Sequence, residues 1–107
     1  MTYYEMKKLG TELGCNIMTH IDYTGDFLFR ICVDNICCVS EHYFRIYEFT
    51  GKNIEFTANR PVKEKTSDSL DYTITEHDFR MAVVSLINAK KEYNEYIKLK
   101  NIEEDFL

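Results

Sequence analysis

The sequence predicts an α+β fold: an antiparallel β-meander of four to six strands, packed on one face by a long C-terminal helix, with a short N-terminal helix. Three observations favour it. Apolar residues alternate with polar ones through the first half of the chain, turn-forming residues interrupt them at short intervals, and the last third changes to a helical repeat. Because 107 residues suffice for one core, we expect residues 1–107 to form a single domain.

The first predicted element is a helix over residues 2–13. Thr2 and Glu5 have the spacing of a capping box, in which each side chain accepts the other residue's backbone N–H. Apolar residues then recur at helical spacing, and Gly14 is a typical stop.

Residues 16–40 are predicted to form two consecutive hairpins whose odd-numbered apolar side chains, between positions 17 and 33, face the core. The turns are expected at 24–26 and 34–35. The predicted pairs of the first hairpin are Ile21 with Phe29 and Thr19 with Ile31, which also sets His20 across from Arg30. The predicted pairs of the second are Val33 with Ile36, Cys32 with Cys37 and Ile31 with Cys38.

Residues 41–59 allow two interpretations. A strand over 43–49 and a returning strand over 54–57 would pair Phe49 with Ile54, Tyr47 with Phe56 and Glu48 with Glu55. A helix from Ser40 to Gly51 is the alternative. The aromatic and β-branched residues favour the strand.

The remaining chain is predicted to be a loop, a short strand and a helix. Residues 59–69 are polar, contain the only proline, Pro61, and are expected to be a mobile loop. A strand near 70–74 precedes a helix over 76–99, which Thr75 caps. Residues 100–107 form an acidic tail.

No motif in the sequence indicates catalysis, a metal or a cofactor. On a strand, Cys38, Ser40 and His42 would share one face, but that face is predicted to be buried, so we expect no enzyme. There is no C-x-x-C spacing, and the neighbouring Cys37 and Cys38 should point to opposite faces, which disfavours a metal site.

Cys32 and Cys37 are the predicted redox pair. Opposite each other on a tight hairpin, they would be close enough to form a disulfide in an oxidising medium. The alternative is that both are small apolar side chains on a partly covered face.

The formal net charge of −5 argues against a general nucleic-acid binder and against binding to an anionic membrane. It is compatible with a protein partner that has a basic surface, or with solubility alone. The predicted partner contacts are the acidic residues off the core: Asp22, Glu41, Glu48, Glu55, Glu103, Glu104 and Asp105.

These patterns predict a small acidic protein-binding module of the cytoplasm, since no apolar h-region follows the first methionine and four cysteines suit a reducing compartment. We expect an inhibitor, immunity protein or adaptor that docks on a basic partner. One type of partner is a nucleic-acid-handling or defence enzyme encoded by a host. In that case the inhibitor itself would be carried by a mobile element. The alternatives are a homodimer formed through an exposed strand edge or the hairpin 43–57, and a thiol switch.

Overall fold

The computed structural model describes residues 1–66 and 70–105, and within them the chain forms two helices and seven strands. Strands β1 to β5 form one antiparallel sheet in chain order, and β6 pairs with β7 in a second, small sheet. The predicted α+β meander with two helices is therefore confirmed. The elements are α1 (Tyr3–Glu12), β1 (Asn16–Ile21), β2 (Phe27–Val33), β3 (Ile36–Ser40), β4 (Tyr43–Phe49), β5 (Ile54–Pro61), β6 (Glu64–Thr66), β7 (Asp71–Tyr72) and α2 (Glu76–Asp105).

Helix α1 begins with the predicted capping box. The Glu5 backbone N–H donates to Thr2 Oγ1 at 3.1 Å, and the Thr2 N–H donates to Glu5 Oε1 at 3.0 Å. The helix ends at Glu12, and Gly14 follows with φ 88°, a left-handed conformation that glycine adopts without strain.

The first hairpin keeps the predicted facing but not the predicted register. The structure pairs Ile21 with Phe27, Thr19 with Phe29 and Ile17 with Ile31, so both predicted pairs were wrong by two residues, and His20 lies opposite Leu28 rather than Arg30. The reason is local: one carboxylate oxygen of Asp22 accepts the Thr24 and Asp26 N–H groups, which closes a five-residue loop, 22–26.

A shift of two residues preserves the side-chain alternation of a strand. Phe29 and Ile31 are therefore buried as predicted, and Phe27 packs against the core. The expected apolar wall stops short on β1, because Ile21 is 66% exposed and Tyr23, in the loop, is fully exposed.

The second hairpin contains a bulge that the sequence did not reveal. Cys32 pairs with Cys37 and Val33 with Ile36, as predicted, but Ile31 lies opposite Val39 instead of Cys38. The extra residue on β3 is Cys38, and both Cys38 and Val39 are fully buried in the core cluster. A bulge brings two consecutive side chains to one face, which regular alternation cannot do.

Residues 43–49 form a strand, so the helical alternative is wrong, and the three predicted pairs of the β4–β5 hairpin are all present. Strand β5 runs on to Pro61, because an edge strand needs no outward N–H at that position. Of the residues expected to be a loop, 59–61 therefore belong to β5 and 64–66 to β6, while 67–69 lie outside the described residues.

Helix α2 continues past the predicted end at 99 as far as Asp105.

The core lies between the five-stranded sheet and α2. The buried residues of α2 recur at helical spacing, and they are Phe79, Ala82, Val83, Leu86 and Ala89. Helix α1 joins the same core at Gly10, where an added Cβ would lie 3.3 Å from Ile31 Cγ2 and 3.5 Å from Phe79 Cζ. Glycine therefore permits α1 to approach both β2 and α2.

A single hydrogen bond connects α2 directly to the backbone of β4. The Tyr47 N–H donates to Ser85 Oγ at 2.9 Å, and the Tyr47 hydroxyl donates to the Cys37 carbonyl at 2.7 Å. Strand β4 is thus held on one side by the helix and on the other by β3.

None of the helices within residues 1–66 and 70–105 combines the length and the apolar character that crossing a membrane requires.

Phe79→Ala should lower the free energy of unfolding by about 3–5 kcal/mol, because the ring is fully buried at the contact of α1, β2 and α2. Urea denaturation followed by circular dichroism measures the loss. Met81→Ala is the matched control on the same helix, since that side chain is 42% exposed and should change stability by less than about 1 kcal/mol. Similar losses in both variants would contradict this packing of α2.

Candidate functional site

The two faces of the five-stranded sheet have different surroundings. The two helices pack against one face, and no other part of the described chain covers the second, which we call the open face. Met18, Arg30 and Phe56 on this face are exposed. Following the strand pairings as far as Tyr47 and Phe56, the open face consists of Asn16, Met18, His20, Leu28, Arg30, Cys32, Cys37, Ser40, Tyr43, Arg45, Tyr47, Phe56, Asn59 and Pro61.

Among the residues that the structure describes, the open face contains no acidic residue, although the whole chain has a net charge of −5. Arg30 on β2 and Arg45 on β4 are its permanent cations, and His20 on β1 adds an imidazole. All 18 carboxylate side chains lie elsewhere in the sequence. The fold therefore separates the charges, which the sequence-based analysis missed because it treated the chain as uniformly acidic.

Arg45 is held in place on the open face by two aromatic rings. Its guanidinium carbon lies 4.2 Å from the centre of the Tyr43 ring and 4.3 Å from that of Phe56, both within the range of cation–π interactions. The Arg45 Nε also donates to Asn59 Oδ1 at 3.4 Å. A guanidinium has five N–H donors, so an oriented Arg45 keeps donors for a ligand.

Cys32 and Cys37 lie side by side in the floor of the open face. Both thiols are buried and free, with 0% and 5% exposure. Burial, and then the neighbouring Cys37, raise the pKa of Cys32 to about 11. Since the thiolate is the reactive form, the raised pKa makes Cys32 a slow nucleophile, and the redox role of the pair stays a prediction.

Arg30 and Tyr43 stand beside the Cys37 sulfur. A hydrogen bond with Cys37 raises the pKa of Arg30, while burial first and then Cys37 raise the pKa of Tyr43. The Cys37 thiol itself donates to the Val39 carbonyl at 3.4 Å. These contacts bury the thiols beneath larger side chains.

A second thiol pair, Cys15 with Cys38, lies on the core face and was not predicted. The bulge turns Cys38 inward, where its thiol donates to the Ile31 carbonyl at 3.3 Å. The neighbouring Cys38 thiol lowers the pKa of the half-buried Cys15, whereas the neighbouring Cys15, and then burial, raise the pKa of Cys38. Only the position of the bulge could have revealed this pair.

Ser40 and His42 do not form a nucleophile and base. Ser40 Oγ accepts the backbone N–H groups of His42 and Tyr43, at 3.2 and 3.3 Å, and so shapes the β3–β4 turn. The His42 ring is 77% exposed and lies 3.4 Å from Glu41 Oε1. In the described part of the chain, no three His, Cys, Asp or Glu side chains converge in a way that could hold a metal ion.

Two of the predicted partner contacts, Asp22 and Glu41, have local structural roles. Asp22 closes the β1–β2 loop, and hydrogen bonds, chiefly from Thr24, lower its pKa. Glu41 accepts the Phe29 N–H at 2.9 Å, and its side chain is only 14% exposed. Both lie at the end of the sheet where the β1–β2 and β3–β4 turns meet.

The other predicted contacts lie towards the opposite end. Glu48 and Glu55 face each other across β4 and β5, and both are exposed. Glu103 is exposed on α2. The backbones of Glu104 and Asp105 continue this helix, but their side chains lie outside what the structure describes. The seven acidic residues therefore belong to two separate groups.

Two clefts flank the sheet. A cleft of about 800 Å³ lies between the β1–β2 loop and the start of β6, with Glu41, His42 and Tyr72 among its walls. Burial, and then Glu64 and Glu41, raise the pKa of Tyr72. A groove of about 450 Å³ runs along α2 beside the Lys90–Asp34 ion pair, whose atoms are 2.7 Å apart.

Comparison with known protein families, curated proteins and solved structures found no match to this chain.

Cys15 should be alkylated by iodoacetamide much faster than the other three cysteines, because it is half-buried and they are buried. Its lowered pKa means that the thiolate forms at a lower pH, so the rate should reach half its maximum at a lower pH than for an ordinary cysteine. Mass spectrometry of timed samples gives the rate at each cysteine.

Cys15→Ser is the control and should remove the fast phase. Rapid labelling of Cys32 or Cys37 in the folded protein would contradict their burial on the open face.

Proposed function

We propose that this chain is a non-enzymatic protein-binding module, of the inhibitor, immunity-protein or adaptor type, that docks on a basic partner through Glu48 and Glu55. The observation that carries the proposal is the position of these two exposed carboxylates directly opposite each other on β4 and β5. No Lys, Arg or His of the described residues lies within ion-pair distance of either.

Like charges placed directly opposite on neighbouring strands destabilise a sheet. Side chains at such positions have Cβ atoms about 4.5–5.5 Å apart, so a single lysine or arginine of a partner can bridge both carboxylates. A partner cation would therefore remove a repulsion that the free protein retains.

Helix α2 adds further acidic side chains at this end of the molecule. Phe49 at the end of β4 packs against Tyr93 and Tyr96, with ring centres 6.3 and 5.6 Å apart, which holds the hairpin against the helix. At 1.5 Å per residue, Glu103 lies about 10 Å farther along the helix axis than Tyr96.

A partner of this kind would present a cationic groove, as nucleic-acid-handling and defence enzymes do for phosphates. The four free cysteines suit the reducing cytoplasm that we propose as its compartment. The proposal assigns no catalytic residue and no cofactor.

Glu55→Gln should have opposite effects on stability and on binding. Removing one of two facing charges should raise the free energy of unfolding by about 0.2–1 kcal/mol, while weakening the binding of a labelled ten-lysine peptide. Urea denaturation measures the first effect, and fluorescence anisotropy at several salt concentrations measures the second, with affinity falling as salt rises.

Glu12→Gln is the matched control, because Glu12 is an exposed glutamate at the end of α1 with the same charge. Equal weakening of peptide binding in both variants would show that net charge alone attracts the peptide, and the proposal would then fail.

Homodimerisation is the second candidate function, favoured by the open edges of the sheet. Strand β1 is paired on one side only and has exposed apolar side chains at Met18 and Ile21, and β5 forms the other edge with Phe56. Such edges can pair with a second copy.

If the edges pair, sedimentation velocity should show a dimer whose fraction rises with protein concentration. Ile21→Lys, which adds a charge to the β1 edge, should return the protein to a monomer. A monomer at every concentration would exclude this candidate.

A further inference from the structure

We propose that the open face is a second binding surface, and that it takes an extended, glutamate- or aspartate-rich segment of a partner protein. This surface is separate from Glu48 and Glu55 and has the opposite charge preference. The module would then bind a basic surface at one end and an acidic segment on its sheet.

The charge distribution is the first argument. The open face has Arg30, Arg45 and His20 and no carboxylate, in a chain with 18 acidic and 13 basic residues. Among the described residues, this face of the sheet carries cations without carboxylates, so an acidic ligand meets complementary charge and no like charge there. Arg30 is exposed and Arg45 is half-buried, so both can be reached from solvent.

The orientation of Arg45 is the second argument. Its guanidinium is already fixed between Tyr43 and Phe56 and bonded to Asn59, so binding a carboxylate does not require that side chain to lose much further rotational freedom. Arginine binds carboxylates through two parallel hydrogen bonds, for which a fixed plane is an advantage.

The spacing of the two arginines indicates the form of the ligand. Arg30 and Arg45 belong to β2 and β4, which are two positions apart in the sheet, so the axes of these two strands are about 10 Å apart. An extended peptide covers about 10 Å in three residues. Carboxylates at every third position therefore fit both arginines.

Apolar side chains at the sides of the open face favour a peptide over a nucleic acid. Met18 on β1 is 51% exposed and Phe56 on β5 is 49% exposed, so apolar side chains of a peptide can pack beside the ion pairs. Arg45 already occupies one face of the Tyr43 and Phe56 rings, which leaves less surface for base stacking.

The test uses a fluorescein-labelled 12-residue peptide with glutamate at every third position and serine or phenylalanine between. Fluorescence anisotropy at low salt should show binding that weakens about tenfold in Arg45→Gln, because a charged hydrogen bond to carboxylate is lost. The same peptide with glutamine in place of glutamate should not bind.

Arg60→Gln is the matched control. Arg60 is exposed on the neighbouring edge strand, β5, but pairs with Phe44, which belongs to the core, so its side chain lies on the other face of the sheet. The Arg60→Gln variant should bind the peptide with the same affinity as the unaltered chain. The Glu55→Gln variant should also keep this binding, which separates the present test from that of the proposed function.

Three results would overturn the inference. The first is that Arg45→Gln and Arg60→Gln weaken peptide binding equally. The second is that a 12-nucleotide oligo(dT) binds more tightly than the peptide. The third is that the protein self-associates without the peptide and that Arg45→Gln abolishes this self-association. Circular dichroism of each variant confirms that the fold is retained.

Discussion

The packing of α2 on only one face of the five-stranded sheet is the constraint on which the rest of the structure depends. Phe79, Val83 and Leu86 are fully buried against that face, and Gly10 lets α1 pack beside them without displacing Ile31. Because both helices use the same face, no part of the described chain covers the other face. The shape of the core thus creates the surface that is free to bind.

The bulge at Cys38 has consequences on both faces. It sends Cys38 and Val39 together into the core, where Cys38 meets Cys15, and leaves Cys37 beside Cys32 beneath Arg30 and Tyr43. One inserted residue therefore places one pair of thiols on the open face and the other pair on the core face. Each pair has its own exposure and acidity.

The acidic residues and the arginines of the open face are also separated from each other. Asp22 and Glu41 are engaged in turn geometry, whereas Glu48 and Glu55 face each other without a cation among the described residues. The two arginines of the open face are in turn isolated from every carboxylate of their own face. The folded chain therefore has two facing glutamates towards one end, and a sheet face on which the described residues include cations but no carboxylate.

The amino-acid sequence by itself determined the elements and most of their pairing, because capping residues, turn residues and alternation act over a few neighbouring positions. The Thr2–Glu5 cap, the Cys32–Cys37 pair and the Glu48–Glu55 pair were all predicted from such local patterns. Only the tertiary structure decided the five-residue Asp22 loop, the Cys38 bulge and the open face with its fixed Arg45. These features depend on where a loop closes, which residue the core admits and which face α2 covers. Contacts between distant parts of the chain decide all three, and the local spacing of residues does not show those contacts.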